Sequence, residues 1–157
     1  MNKLRDDEVR RLVSYLRPFV SDEELARIED ILRSDEGAEY LLTDALLAYF
    51  PLVVIELRSD EKVWRVRVLP HAHLRMVQRG ISTNDIEDLI IRFVKTCQVR
   101  GEPIIEDYYG IIGRTQRHSL VTLRVAAEEI GEQAGQVRVI TVHWGRGRAQ
   151  EETVVHV

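Results

Sequence analysis

An α+β fold is what this sequence predicts, on three observations. Apolar residues recur at helical spacing through the first fifty positions. Two segments with written-in helix stops follow between Pro70 and Gly101, and the apolar pattern then changes to period two in three successive runs. The expected arrangement is N-terminal helices, then a helix pair packed on an antiparallel meander sheet. Its boundaries are 1–51 for a helical extension, 52–145 for the α+β domain and 146–157 for a tail or edge strand.

The elements follow in chain order. Val9, Leu12, Val13, Leu16, Phe19 and Val20 form one stripe of a helix from about Asp6, whose first-turn acids suit its N-terminus and which Pro18 ends. Ser21-Asp22-Glu23-Glu24 has the form of a capping box and opens a second helix with Leu25, Ile28, Ile31 and Leu32 on one side. A third helix is expected from Asp35 to Phe50, apolar on most sides and stopped by Pro51. The continuous run Leu52 to Ile55 reads as a buried strand, and Val63 to Val68 as an alternating one with Trp64, Val66 and Val68 on one face. Pro70 at a first helical turn and Gly80 just past a helix end bracket a short helix. Ser82 to Asp85 caps another with the stripe Ile86, Leu89, Ile90, Phe93 and Val94. Strand-like runs at 104–112, 120–127 and 137–144, joined by hairpin-length links, complete the meander.

Composition narrows the function classes. With 157 residues, 45% hydrophobic and 31% charged, the chain can bury a core. It lacks any run approaching the roughly 20 apolar residues of a membrane span, and its polar start is unlike a secretory signal, so a cytoplasmic protein without membrane partners is expected. Cys97 is the one cysteine, which rules out an internal disulfide and a multi-thiolate metal site. The net charge of −4 is unevenly spread: residues 1–60 hold 8 Lys/Arg against 14 Asp/Glu, whereas 61–157 hold 14 against 12. A mildly basic C-terminal part beside an acidic helical flank is compatible with phosphate binding.

On the 70–79 helix, the 100° step gathers His71, Arg75, Gln78 and Arg79 in one polar sector, a ridge facing away from the helix's own core. His73 lies on the apolar side and reads as a satisfied core histidine. His71 and His73 diverge by about 200° on a helix, so a shared metal is rejected. The string His71-Ala72-His73-Leu74-Arg75-Met76-Val77-Gln78-Arg79-Gly80-Ile81-Ser82, followed by a capped helix, a strand with paired tyrosines and a strand ending Ile140-Thr141-Val142-His143-Trp144, resembles a family of small uncharacterised bacterial and phage domains. Their recurring pattern is His-Ala-x-x-Arg-Met-x-x-Arg-Gly-Ile-Ser. The resemblance covers residues 62–145. It implies kinship with BrnT-like and RelE-like toxins, ribonucleases of a barnase-type α/β fold that cut RNA without a metal or other cofactor.

Such cleavage needs a base, an acid and cations at hydrogen-bond range of the phosphate. The sequence offers His71, His118, Tyr108 and Tyr109 as proton-moving candidates, and Arg75, Arg79, Arg114, Arg117 and Arg124 as RNA-binding ones. Alternation lets only one of the two tyrosines face the helices. Ordinary readings stand beside these: Arg75 and Arg79 paired with Glu87 or Asp88, His118 solvated in a turn, His143 and Trp144 structural, and Arg146 and Arg148 in a soluble exit or tracking a phosphate backbone. Two functions follow as expectations. One is an endoribonuclease of toxin or phage-nuclease type acting on single-stranded RNA, with a cognate antitoxin or other protein partner. The other is a non-catalytic protein- or RNA-binding module whose acidic N-terminal helices serve as a partner or regulatory surface, or mediate a homodimer.

Overall fold

The computed structural model of the chain describes residues 3–105, 107–145 and 153–157. Helices α1 (Asp6–Leu16) and α2 (Asp22–Arg33) form on the expected stripes, burying Val9, Leu12, Val13 and Leu16 on one and Leu25, Ile28 and Leu32 on the other. The Ser21 hydroxyl accepts the Glu24 amide at 3.2 Å, satisfying one of the open donors at the start of α2.

The long helix expected over 35–50 is instead two single turns, α3 (Gly37–Tyr40) and α4 (Asp44–Leu47). The break has a local cause. Thr43 donates both its amide (3.1 Å) and its Oγ1 (2.7 Å) to the Tyr40 carbonyl, a turn that competes with helix continuation. Gly37 packs so tightly that a Cβ there would sit 2.1 Å from the Leu32 carbonyl oxygen, which fixes the sharp exit from α2.

Strands β1 (Val53–Ser59), β2 (Lys62–Val68), β3 (Asp107–Arg114), β4 (Leu120–Ile130), β5 (Ala134–Trp144) and β6 (Thr153–His156) form one sheet in the order β1-β2-β5-β4-β3-β6. The chain is therefore α+β, and β3-β4-β5 is the expected antiparallel meander. The sheet as a whole is mixed, because β2 pairs with β5 and β3 with β6 in parallel. Strand β1 is an edge rather than the buried strand its apolar run suggested: Val54 points to the face away from the helices and is 51% exposed. The stretch from Thr153 is an edge strand, and Arg146 and Arg148 fall outside the described residues.

Helices α5 (Pro70–Arg79) and α6 (Thr83–Arg100) carry the expected caps. Gly80 and Gly101 take the left-handed conformation, and Ser82 and Asp85 complete a capping box. Helix α6 lays Ile86, Leu89, Ile90, Phe93, Val94 and Cys97 on one sheet face. Helix α5 does something less usual. Strand β2 ends at Val68, opposite Val139, while β5 runs on to Trp144, so α5 continues along the β5 edge where a strand would otherwise lie. The Leu69 amide donates to the Val139 carbonyl at 3.1 Å, the Arg79 guanidinium to the Val142 carbonyl, and Trp144 Nε1 to the Arg79 carbonyl at 2.9 Å.

Two hydrophobic cores meet on α5. Ala72 and Met76 enter the sheet core, and Leu74 enters the core built by α1, α2 and α4. Among the described residues no helix is long and apolar enough to cross a membrane.

Candidate functional site

The 70–79 helix does not present its polar residues as a uniform outward ridge. Gln78 is buried at 4% exposure: its Nε2 donates to Glu8 Oε2 of α1 at 2.7 Å, and its Oε1 accepts Arg75 Nη1 at 2.8 Å. Arg11 Nε reaches the Gln78 carbonyl at 2.8 Å. This polar seam binds α1 to α5, and sequence periodicity missed it because the partner lies seventy positions earlier. Neither arginine pairs with the carboxylates expected from sequence. Arg75 bonds Gln78, Arg79 bonds the Val142 carbonyl and His143 Nδ1 (3.3 Å), and Asp88 pairs with Arg92.

His71 remains exposed, one turn from the half-buried Arg75. Both line a cleft of about 490 Å³ that also takes in Leu47 of α4, Arg124 of β4, and Ile140 and Thr141 of β5. The sheet wall of this cleft depends on an irregularity. The β4–β5 register runs Arg124 opposite Thr141 and then Val125 opposite Val139, so Ile140 is an extra, bulged residue. The bulge re-aims the end of β5 and sets Thr141 beside Arg124 where the chain leaves β2 for α5.

The arginines make this corner electropositive. Burial lowers the pKa of Arg75, and burial and then the Arg75 charge lower that of Arg79, with Glu8 opposing both. His143 is held below its ordinary value first by burial, then by Arg79, Arg75 and Arg124, so the fields of three arginines converge on one ring.

The other sequence candidates separate. Tyr109 faces α6 with its ring centroid 5.2 Å from that of Phe93 and its hydroxyl donating to the Ile105 carbonyl, while burial raises its pKa. Tyr108 is on the opposite face, 47% exposed, with Arg124 Cζ 5.9 Å from its ring centroid. Arg114, Arg117 and His118 belong to the β3–β4 turn. There Arg114 donates to the His118 carbonyl at 2.8 Å, Arg92 of α6 donates to the Arg114 carbonyl, and His118 adopts φ 63°. None of the three lines the cleft. His73 is satisfied as expected, with Nδ1 2.9 Å from the Pro51 carbonyl and its ring edge-on to Tyr15 and Phe50, although it joins the helical core rather than Met76. Among the described residues no group of three His, Cys, Asp or Glu side chains is placed to hold a metal ion.

The structure thus gathers His71, Arg75 and Arg124, with Tyr108 beside Arg124, and leaves Arg79 as an anchor of α5. Thr141 and Glu8 enter the site or its frame unforeseen, since a bulge and a contact between distant segments leave no local signature. Compared with protein-family models, curated proteins and solved structures, the chain matches none.

Proposed function

We propose that the chain binds single-stranded RNA in the α5–β4–β5 cleft and cleaves it without a metal. The observation that carries this reading is the convergence of His71 and Arg75 from a helix with Arg124 from the sheet on one open cleft. The resemblance of the 71–82 string to the BrnT-like and RelE-like ribonucleases supports it. His71 takes the proton of a ribose 2′-OH, the oxygen attacks the adjacent phosphorus, and the 5′-oxygen leaves with a proton from Tyr108, giving a 2′,3′-cyclic phosphate. Arg75 and Arg124 hold the phosphate and the charge that builds on it.

A second reading, binding without cleavage, is favoured by one observation: His71 is the only proton-moving side chain among the described residues that line the cleft. One experiment separates the two. Purified protein is incubated with a long unstructured RNA in EDTA, beside His71→Ala, Arg75→Ala and an RNA carrying a single 2′-deoxy position. Cleavage that stops at the deoxy position and falls by about 10²–10⁴-fold in His71→Ala supports the enzyme. RNA that is bound yet intact leaves the binding module, and RNA neither bound nor cut removes both.

A further inference from the structure

The sheet face turned away from α6 carries a cationic row whose arginines were not among the sequence candidates. Residue pairing places Val54, Arg67, Arg138, Ala126 and Tyr108 side by side across β1, β2, β5, β4 and β3. Arg67 and Arg138 are directly opposite each other on neighbouring strands, a like-charge pairing that opposes sheet formation. Among the described residues neither guanidinium has an ion-pair or hydrogen-bond partner. The next row does contain carboxylates, with Glu56 3.9 Å from Arg65 and Glu128 bonded to Gln136. On this face β1, β2, β4 and β5 together bring five arginines (58, 65, 67, 124, 138) against two glutamates (56, 128), in a chain whose net charge is −4. One row along from Arg138 is Arg124, which already lines the cleft. The positive surface is thus continuous from the cleft across the sheet.

We infer that Arg67 and Arg138 form a phosphate-binding track for single-stranded RNA running from the cleft, so that the protein grips several nucleotides beside the one at His71. This rests on the RNA reading of the cleft and extends it to the length of substrate held. A track explains the otherwise costly apposition: the two guanidiniums are separated by a phosphate when RNA is bound, and repel one another when it is not. RNA is favoured over an acidic protein because the row is one residue wide and the adjoining row carries Arg124 into the cleft.

The test uses 2′-O-methyl RNA, which cannot be cut, as labelled 4-mer and 12-mer, and reads affinity by fluorescence anisotropy at several salt concentrations. The proteins are the wild type, Arg67→Gln/Arg138→Gln, and Arg27→Gln on the exposed face of α2 as a charge control. The 12-mer is expected to bind tighter than the 4-mer in the wild type only. The double variant should lower the slope of log K against log salt by about 1.4, at about 0.7 per phosphate contact. Between 50 and 200 mM salt the wild type then loses about sevenfold more affinity than the variant. Thermal melting of the double variant should be unchanged or raised, since a repulsion has been removed.

Equal affinity for the two lengths, an unchanged salt slope, or the same loss in Arg27→Gln would overturn the track. So would displacement of the 12-mer by an acidic peptide of equal charge at equal concentration, which would assign the row to a protein. If the wild type holds the 12-mer through the track but leaves natural RNA intact, the cleavage reading fails and the track stands. If it cleaves RNA and the double variant binds unchanged, the reverse holds.

Discussion

Replacing Leu74 by alanine tests whether α5 is held by two cores at once. Leu74 is fully buried, and it is the α5 residue most deeply set in the N-terminal helical core, in one cluster with Leu12, Leu16, Leu46 and Phe50. Leu→Ala removes three carbons, about 2.4 kcal/mol at about 0.8 kcal/mol per buried methylene. A residual cavity of about 40–60 Å³ adds about 1–1.4 kcal/mol at about 24 cal/mol per Å³. The total of about 3–4 kcal/mol corresponds to a fall in Tm of about 6–16 °C, at about 2–4 °C per kcal/mol for a chain of this size. Urea titration should show a lower midpoint at unchanged slope, and calorimetry a lower Tm in a single transition. A loss under about 1 kcal/mol would refute the packing argument, because it would mean that Leu74 seals no core. Two transitions would refute the claim that the cores share α5, since the helical part would then melt alone.

Three further outcomes follow from the structure. Gly135→Ala should cost about 1–3 kcal/mol by urea titration, because its Cβ would lie 2.4 Å from the ring of the fully buried Trp64; an unchanged midpoint would contradict that contact. Folding holds His143 below its ordinary value near 6.5, so the unfolded chain takes up a proton more readily. The associated stability is complete above about pH 6.5 and declines as pH falls below it, and His143→Gln should flatten the pH dependence of the urea midpoint between pH 7.5 and 5. Glu8→Gln should lower stability by about 1–2 kcal/mol by weakening a charged hydrogen bond, yet tighten phosphate binding in calorimetric titration, because it removes the countercharge to Arg75 and Arg79.

Much of this fold is legible because its signals are local. Pro70 and Gly80 mark both ends of α5, Ser82 and Asp85 cap α6, and the alternation of Trp64, Val66 and Val68 gives the buried face of β2. What the sequence hides is non-local or depends on a single bond. The parallel pairing of β2 with β5 joins segments seventy positions apart and has no composition cue. Thr43 reads as an ordinary helix residue until its hydroxyl is seen on the Tyr40 carbonyl. The site divides in the same way. The helical period correctly sets His71 and Arg75 together and His73 apart, but it cannot say that Gln78 is claimed by α1 and Arg79 by β5. Nor can alternation choose between Tyr108 and Tyr109, a choice that turns on which face α6 covers.

The division of α5 explains why its polar row offers only two side chains to the cleft. A helix lying along a strand edge has neighbours on three sides: here the sheet core takes Ala72 and Met76, the helical core takes Leu74, and the seam with α1 takes Gln78. Positions 71, 75 and 79 form the i, i+4, i+8 row on the remaining side. The third of them reaches the part of β5 that has lost its β2 neighbour, where Val142 presents a carbonyl for Arg79 to bind. The cleft pair His71 and Arg75 is therefore fixed in place from below by Arg79, rather than extended by it. The missing cation comes from Arg124 across the Ile140 bulge. Arg124 joins Arg75 in lining one cleft where one strand ends and a helix takes its place, so the site and the irregularity of the sheet are the same feature.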